Sequence, residues 1–113
     1  MILTAGDKLL VVHRRLFAGD AVRFFTCKVE EYEDGIVRVS GHTWIRDPVG
    51  GRMLRKQDES TKIVALSAGS IMAYVLPQSA DMSTLTFDVD ERGGLWLSDG
   101  AGFKMDLREQ WSE

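Results

Sequence analysis

The chain has 113 residues, 44% of them hydrophobic and 27% charged, which suits one soluble domain with a core built without metals or cross-links. Cys27 is the only cysteine, so an intrachain disulfide is excluded, and no stretch approaches the roughly 20 apolar residues of a membrane-spanning helix. The net charge of −3 lacks the basic footprint of a duplex-binding domain. Residues 1–62 carry 11 Lys and Arg against 9 Asp and Glu, whereas 63–113 carry 3 against 8, so any basic patch belongs to the first half. The start of the chain lacks the basic and apolar regions of a signal peptide, and a cytoplasmic protein is expected.

Read in chain order, Leu9-Leu10-Val11-Val12 makes a short β-branched run that turns polar at His13-Arg14-Arg15, a first strand over 8–15. Ala18-Gly19-Asp20 reads as a turn. A second strand from about 22 to 32 places Phe25, Cys27 and Val29 on one face and Phe24, Thr26, Lys28 and Glu30 on the other. Asp34-Gly35 is a hairpin signal, because both types tolerate the positive φ of tight β turns. The return strand, 36–46, sets Val37, Val39, Thr43 and Ile45 against Arg38, Ser40 and His42. Gly41 within it marks a bulge or a close backbone approach.

After Asp47-Pro48-Val49-Gly50-Gly51 the polar stretch 52–61 is a loop or an edge strand. The runs 62–66 and 71–76 are nearly continuous in apolar character, which predicts strands covered on both faces. One buried helix over 63–76 is the competing reading, and Gly69 with the β-branched residues weighs against it. Residues 84–107 alternate with few errors. Leu85, Phe87 and Val89, then Leu95 and Leu97, then Phe103, Met105 and Leu107 form three strands between glycine-rich turns. Trp111 suggests that 107–113 turns helical or docks. The expectation is a single all-β domain over 1–113, a small antiparallel barrel over 8–77 extended by a C-terminal β-meander over 84–107.

The element order in 8–77 resembles the Sm-like version of the SH3-like small barrel. Two long strands meet at Asp34-Gly35, and the last two strands are joined by the short link Ser67-Ala68-Gly69-Ser70. In that family the fourth strand of one subunit pairs with the fifth of its neighbour and closes a ring. The resemblance therefore implies a homo-oligomer, with Leu66 and Ile71 near a subunit seam. The family's RNA-pocket residues have no match after Gly35, and its second basic-glycine motif is replaced by Ser67-Ala68-Gly69.

No catalytic constellation stands out, so a non-enzymatic binding or assembly module is expected, with no cofactor. Trp44 and Trp96 fall in phase with polar positions. They signal association or cover by a second layer of the same subunit; Tyr74 joins Trp44, Leu66, Ile71 and Trp96 as self-association candidates. Arg14 and Arg15, beside His13, have the fork geometry for phosphate. Arg52, Arg55, Lys56 and Lys62 form the densest basic run, an alternative single-stranded RNA track with Trp44 or Tyr74 as stacking platform. Asp58 and Glu59 dilute its field. His13, Cys27 and His42 make a small-ligand or metal alternative, although no pair has a recognised metal-ligand spacing. Lys28 beside Cys27 suggests a lowered thiol pKa, against the apolar neighbours that favour an inert core thiol. Glu30, Glu31, Glu33 and Asp34 are a charged hairpin tip or a divalent-cation cluster.

Overall fold

Asp34 and Gly35 adopt φ of 48° and 82°, the two consecutive positive values that let a two-residue turn match the twist of its flanking strands. The protein is described by a computed structural model covering residues 2–13, 23–47, 49–50, 52–92 and 94–107. The turn joins β2 (Arg23–Glu33) to β3 (Ile36–Arg46), whose bounds coincide with the expected 36–46. The register shifts between Val29 and Glu31. Glu30 is the extra residue of a bulge, so adjacent glutamates escape strict alternation. Arg38 accordingly donates to both, Nε to Glu30 at 3.1 Å and Nη2 to Glu31 at 2.8 Å. Ser40 also donates to Glu30.

β1 (Lys8–His13) pairs with β2, Leu9 opposite Cys27, and on its other side with β6 (Ile71–Leu76), Leu9 opposite Val75. The far edge of β3 is shared by two short strands. β5 (Ser60–Ala65) takes its first half, with Val64 opposite Val37. β4 (Met53–Arg55) also neighbours β3. The sheet order is β4-β3-β2-β1-β6, with β5 on β3. A separate meander follows, β7 (Thr86–Val89), β8 (Leu95–Ser98) and β9 (Lys104–Asp106). The fold is all-β and antiparallel, as the alternation predicts, but the barrel is not closed. No helix among the described residues is long and apolar enough to cross a membrane. The chain divides into two compact units, Met1–Ile45 with Leu54–Gln78, and Arg46–Met53 with Ser79–Glu113.

In the first unit Leu9, Val11, Phe25, Cys27, Val37 and Val39 form the core, the faces that the alternation assigned to β2 and β3. Gly41 is a close backbone approach. A Cβ there would lie 1.9 Å from the Thr26 carbonyl oxygen and 2.6 Å from Cys27 Cα. The opposite face departs from expectation, because Phe24, Thr26 and Trp44 are buried too. β5 and β6 also depart from it. They are separate strands rather than one helix, but they are not covered on both faces: Ile63 is 73% and Val75 64% exposed. Each has a single strand neighbour among the described residues, which leaves an open backbone edge beside these exposed apolar side chains.

In the second unit Leu85, Phe87, Leu97 and Leu107 are buried in the predicted phase. Two aspartates hold its hairpins. Asp90 accepts from the Arg92 and Gly94 amides and from Trp96 Nε1. Asp99, 4% exposed, accepts from the Ala101 and Phe103 amides at 2.8 and 3.0 Å and from the Asp81 amide at 3.0 Å. Short Asp side chains that bind amides two and four residues on define such loops. Asp99-Gly100-Ala101-Gly102 is thus a turn, as its composition suggests, with Asp99 as its organising group.

Candidate functional site

The core rows of β1 and β2 end in basic residues. Along β1, Leu9 and Val11 lead to His13; along β2, Val29, Cys27 and Phe25 lead to Arg23. His13 and Arg23 face each other across the ladder, and His13 is also opposite Ile71 of β6. Thr43 of β3 and Lys62 of β5 complete a rim around a cleft of about 160 Å³. Its floor includes Val11, Phe25 and Val64. Lys62 Nζ donates to Thr43 Oγ1 at 3.2 Å and stands 4.6 Å from the centroid of the Phe25 ring. Alternation explains the convergence, since all these residues share the core-facing side of their strands. Among the described residues, neither His13, Arg23 nor Lys62 takes part in an ion pair.

The sequence-derived candidates do not assemble into one patch. Arg14, Arg15, the 18–20 turn and Trp111 lie outside the described residues. Arg52, Arg55 and Lys56 are exposed, but the Lys62 ammonium turns toward Thr43 and Phe25, into the cleft. Trp44 is 4% exposed and donates its indole N–H to Thr26 Oγ1 at 2.9 Å. It therefore presents neither a stacking platform for bases nor a surface to a second copy, which corrects both expectations for this residue. Its polar phase reflects cover on the second face of the sheet. Trp96 is half-buried, bonded to Asp90 and overlaid by Lys104 Nζ at 4.6 Å. Leu66 and Ile71 pack partly against the core and bracket the link of residues 67–70, and Tyr74 is half-buried.

His13, Cys27 and His42 are not a ligand set. Cys27 lies opposite Gly41, while His42 lies opposite Thr26, the neighbour of Cys27 whose side chain points to the other face. No group of three potential metal ligands occurs among the described residues. Burial pushes the Cys27 thiol up to about 12, with the Lys62 charge pulling the other way. Of the two readings, the inert core thiol suggested by Phe25 and Val29 holds and the lowered pKa suggested by Lys28 does not, because desolvation of the thiolate outweighs a nearby cation. Of the acidic tip, Glu30 and Glu31 are engaged by Arg38. The Ser40 hydrogen bond, followed by Arg38, holds Glu30 below the usual carboxylate range.

Arg23 and Thr43 were missed by the sequence reading. The usable signal was the pattern itself, since an apolar row ending in a basic residue on two successive strands points both of them to one end of the core.

No protein-family model matches the chain, and no curated protein or solved structure matches it either.

Proposed function

We propose that this protein is a non-enzymatic assembly module, in which β5 of one copy pairs with β6 of the next. One observation carries the reading. β5 and β6 each have a single strand neighbour among the described residues, and they hold two of the most exposed large apolar side chains, Ile63 and Val75. Proteins that stay monomeric blunt such edges with charges, bulges or proline. β6 reads Ile-Met-Ala-Tyr-Val-Leu, with no charge along its length. Because the two edges differ, their pairing is head-to-tail, which closes rings or propagates filaments. The path β5-β3-β2-β1-β6, with its short 66–70 link, supports the Sm-like reading of this unit, in which that seam builds a ring. The protonated, buried Cys27 thiol adds support for a role without covalent chemistry.

The test is solution mass by sedimentation at tens of micromolar protein. The parent is expected to exceed one subunit, and Ile63→Lys combined with Val75→Lys to run as a folded monomer. A parent that is strictly monomeric overturns the proposal, as does a double variant that keeps the parent's mass.

A further inference from the structure

The basic cleft has features that assembly does not use. His13 and Arg23 are direct cross-strand partners, which sets two nitrogen-bearing side chains side by side at the end of the ladder. Lys62 adds a third basic group on the same rim, held over the Phe25 ring and, among the described residues, bonded to the neutral Thr43 hydroxyl. Among the described residues no carboxylate lines the cleft, and its floor is apolar. A site with convergent donors above an apolar floor suits an anion carrying a hydrophobic body.

Size narrows the class. The volume, about 160 Å³, is close to that of an engineered cavity that accepts benzene, roughly 150 Å³. It is well below the roughly 300 Å³ at which sites for larger ligands begin, so a nucleotide is too big. The Arg23 guanidinium offers a planar fork that matches a carboxylate through two parallel hydrogen bonds.

We infer that this cleft binds a small carboxylate with an aromatic or branched aliphatic body, its carboxylate held by Arg23 and Lys62 and its apolar part resting near Phe25 and Ile71. Thr43 supplies a further hydroxyl donor once Lys62 turns toward the ligand. All the lining residues belong to one copy of the chain, Lys62 on β5 and Ile71 on β6; the test reads ligand-induced shifts rather than solution mass, so its failure is distinguishable from failure of the β5–β6 pairing.

Benzoate is the probe, added to isotope-labelled full-length protein and followed through backbone amide resonances. Saturable shifts are expected at His13, Arg23, Thr43 and Lys62, with a dissociation constant on the order of 1 mM for a ligand this small. Arg23→Gln and Lys62→Gln are each expected to weaken binding about tenfold, the usual effect of losing a hydrogen bond to a charged group. Both residues are exposed, and the same spectra report whether each variant folds; Lys62→Arg, which keeps the charge, is expected to retain binding. Inorganic phosphate, which lacks the apolar body, and benzyl alcohol, which lacks the charge, are each expected to bind at least about tenfold more weakly. The inference is overturned if benzoate gives no saturable shifts at roughly ten times that concentration. Equal binding of phosphate or benzyl alcohol also overturns it, as does undiminished binding by folded Arg23→Gln and Lys62→Gln proteins.

Discussion

Gly41→Ala adds one methyl group where the sheet has no room for it. The new Cβ would sit 1.9 Å from the Thr26 carbonyl oxygen, 2.6 Å from Cys27 Cα and 2.8 Å from Cys27 Cβ. None of these is the free end of a flexible side chain. Each belongs to the backbone of β2 or is fixed to it, and β2 is held between β1 and β3. Relief therefore requires the strands to separate locally by more than about 1 Å. Overpacking of this kind costs about 1–3 kcal/mol, and each ladder hydrogen bond given up adds about 1 kcal/mol. The expected loss is about 3–4 kcal/mol, a large part of the roughly 6–17 kcal/mol typical of a chain this long. Urea titration and calorimetry measure it, with a fall in Tm of about 10–20 °C. Gly69→Ala is the control, because its Cβ would meet nothing within 4 Å, and it is expected to stay within about 0.5 kcal/mol of the parent. Cys27→Ala is not expected to rescue Gly41→Ala, since the thiol is not among the atoms that clash. A Gly41→Ala protein within about 1 kcal/mol of the parent would refute the close-approach argument, as would full rescue by Cys27→Ala.

Asp99 makes stability pH-dependent. The Asp81 amide, followed by those of Ala101 and Phe103, holds its carboxyl below the usual range. Its contribution is therefore complete above the unfolded-state pKa, about 4, and is lost as pH falls through the lower folded value. Urea midpoints measured from pH 7 to pH 2.5 should decline in the acid range, and Asp99→Asn should be less stable at pH 7 with a flatter decline. Parallel curves for the two proteins would contradict the assignment. Cys27, raised from 9.0 to about 12, should resist alkylation at pH 8 in the native protein and react only as the protein unfolds. Native stability should also fall as pH rises above about 9, where the unfolded thiol ionises and the folded one does not. Alkylation at the rate of an accessible thiol would overturn that account.

Elements whose instructions are local were legible before the structure. Asp34-Gly35 encodes its own turn, so β3 could be bounded at both ends. In 84–107 the period-two pattern and the glycine turns foretold three strands and the inward phase of Leu85, Phe87, Leu97 and Leu107; Leu95, Phe103 and Met105 are only half-buried, and Val89 is 54% exposed at the end of β7. Failures came where neighbours decide. The apolar runs of β5 and β6 read as covered strands, but composition cannot say whether a strand is interior or at an edge. The bulge at Glu30 shifts register by one residue, and no residue type there announces it.

Taken alone, the amino-acid order determined the strand content, the main hairpin, the meander and the inert character expected of Cys27, because φ preference and side-chain alternation act over only a few residues. Tertiary structure decided which strands are neighbours. It thereby buried Trp44, left β5 and β6 as edges, and gathered His13, Arg23, Thr43 and Lys62 around one cleft. Those outcomes depend on pairing between segments far apart in the chain, whose register is set by the shared core, and no short window of sequence contains that information.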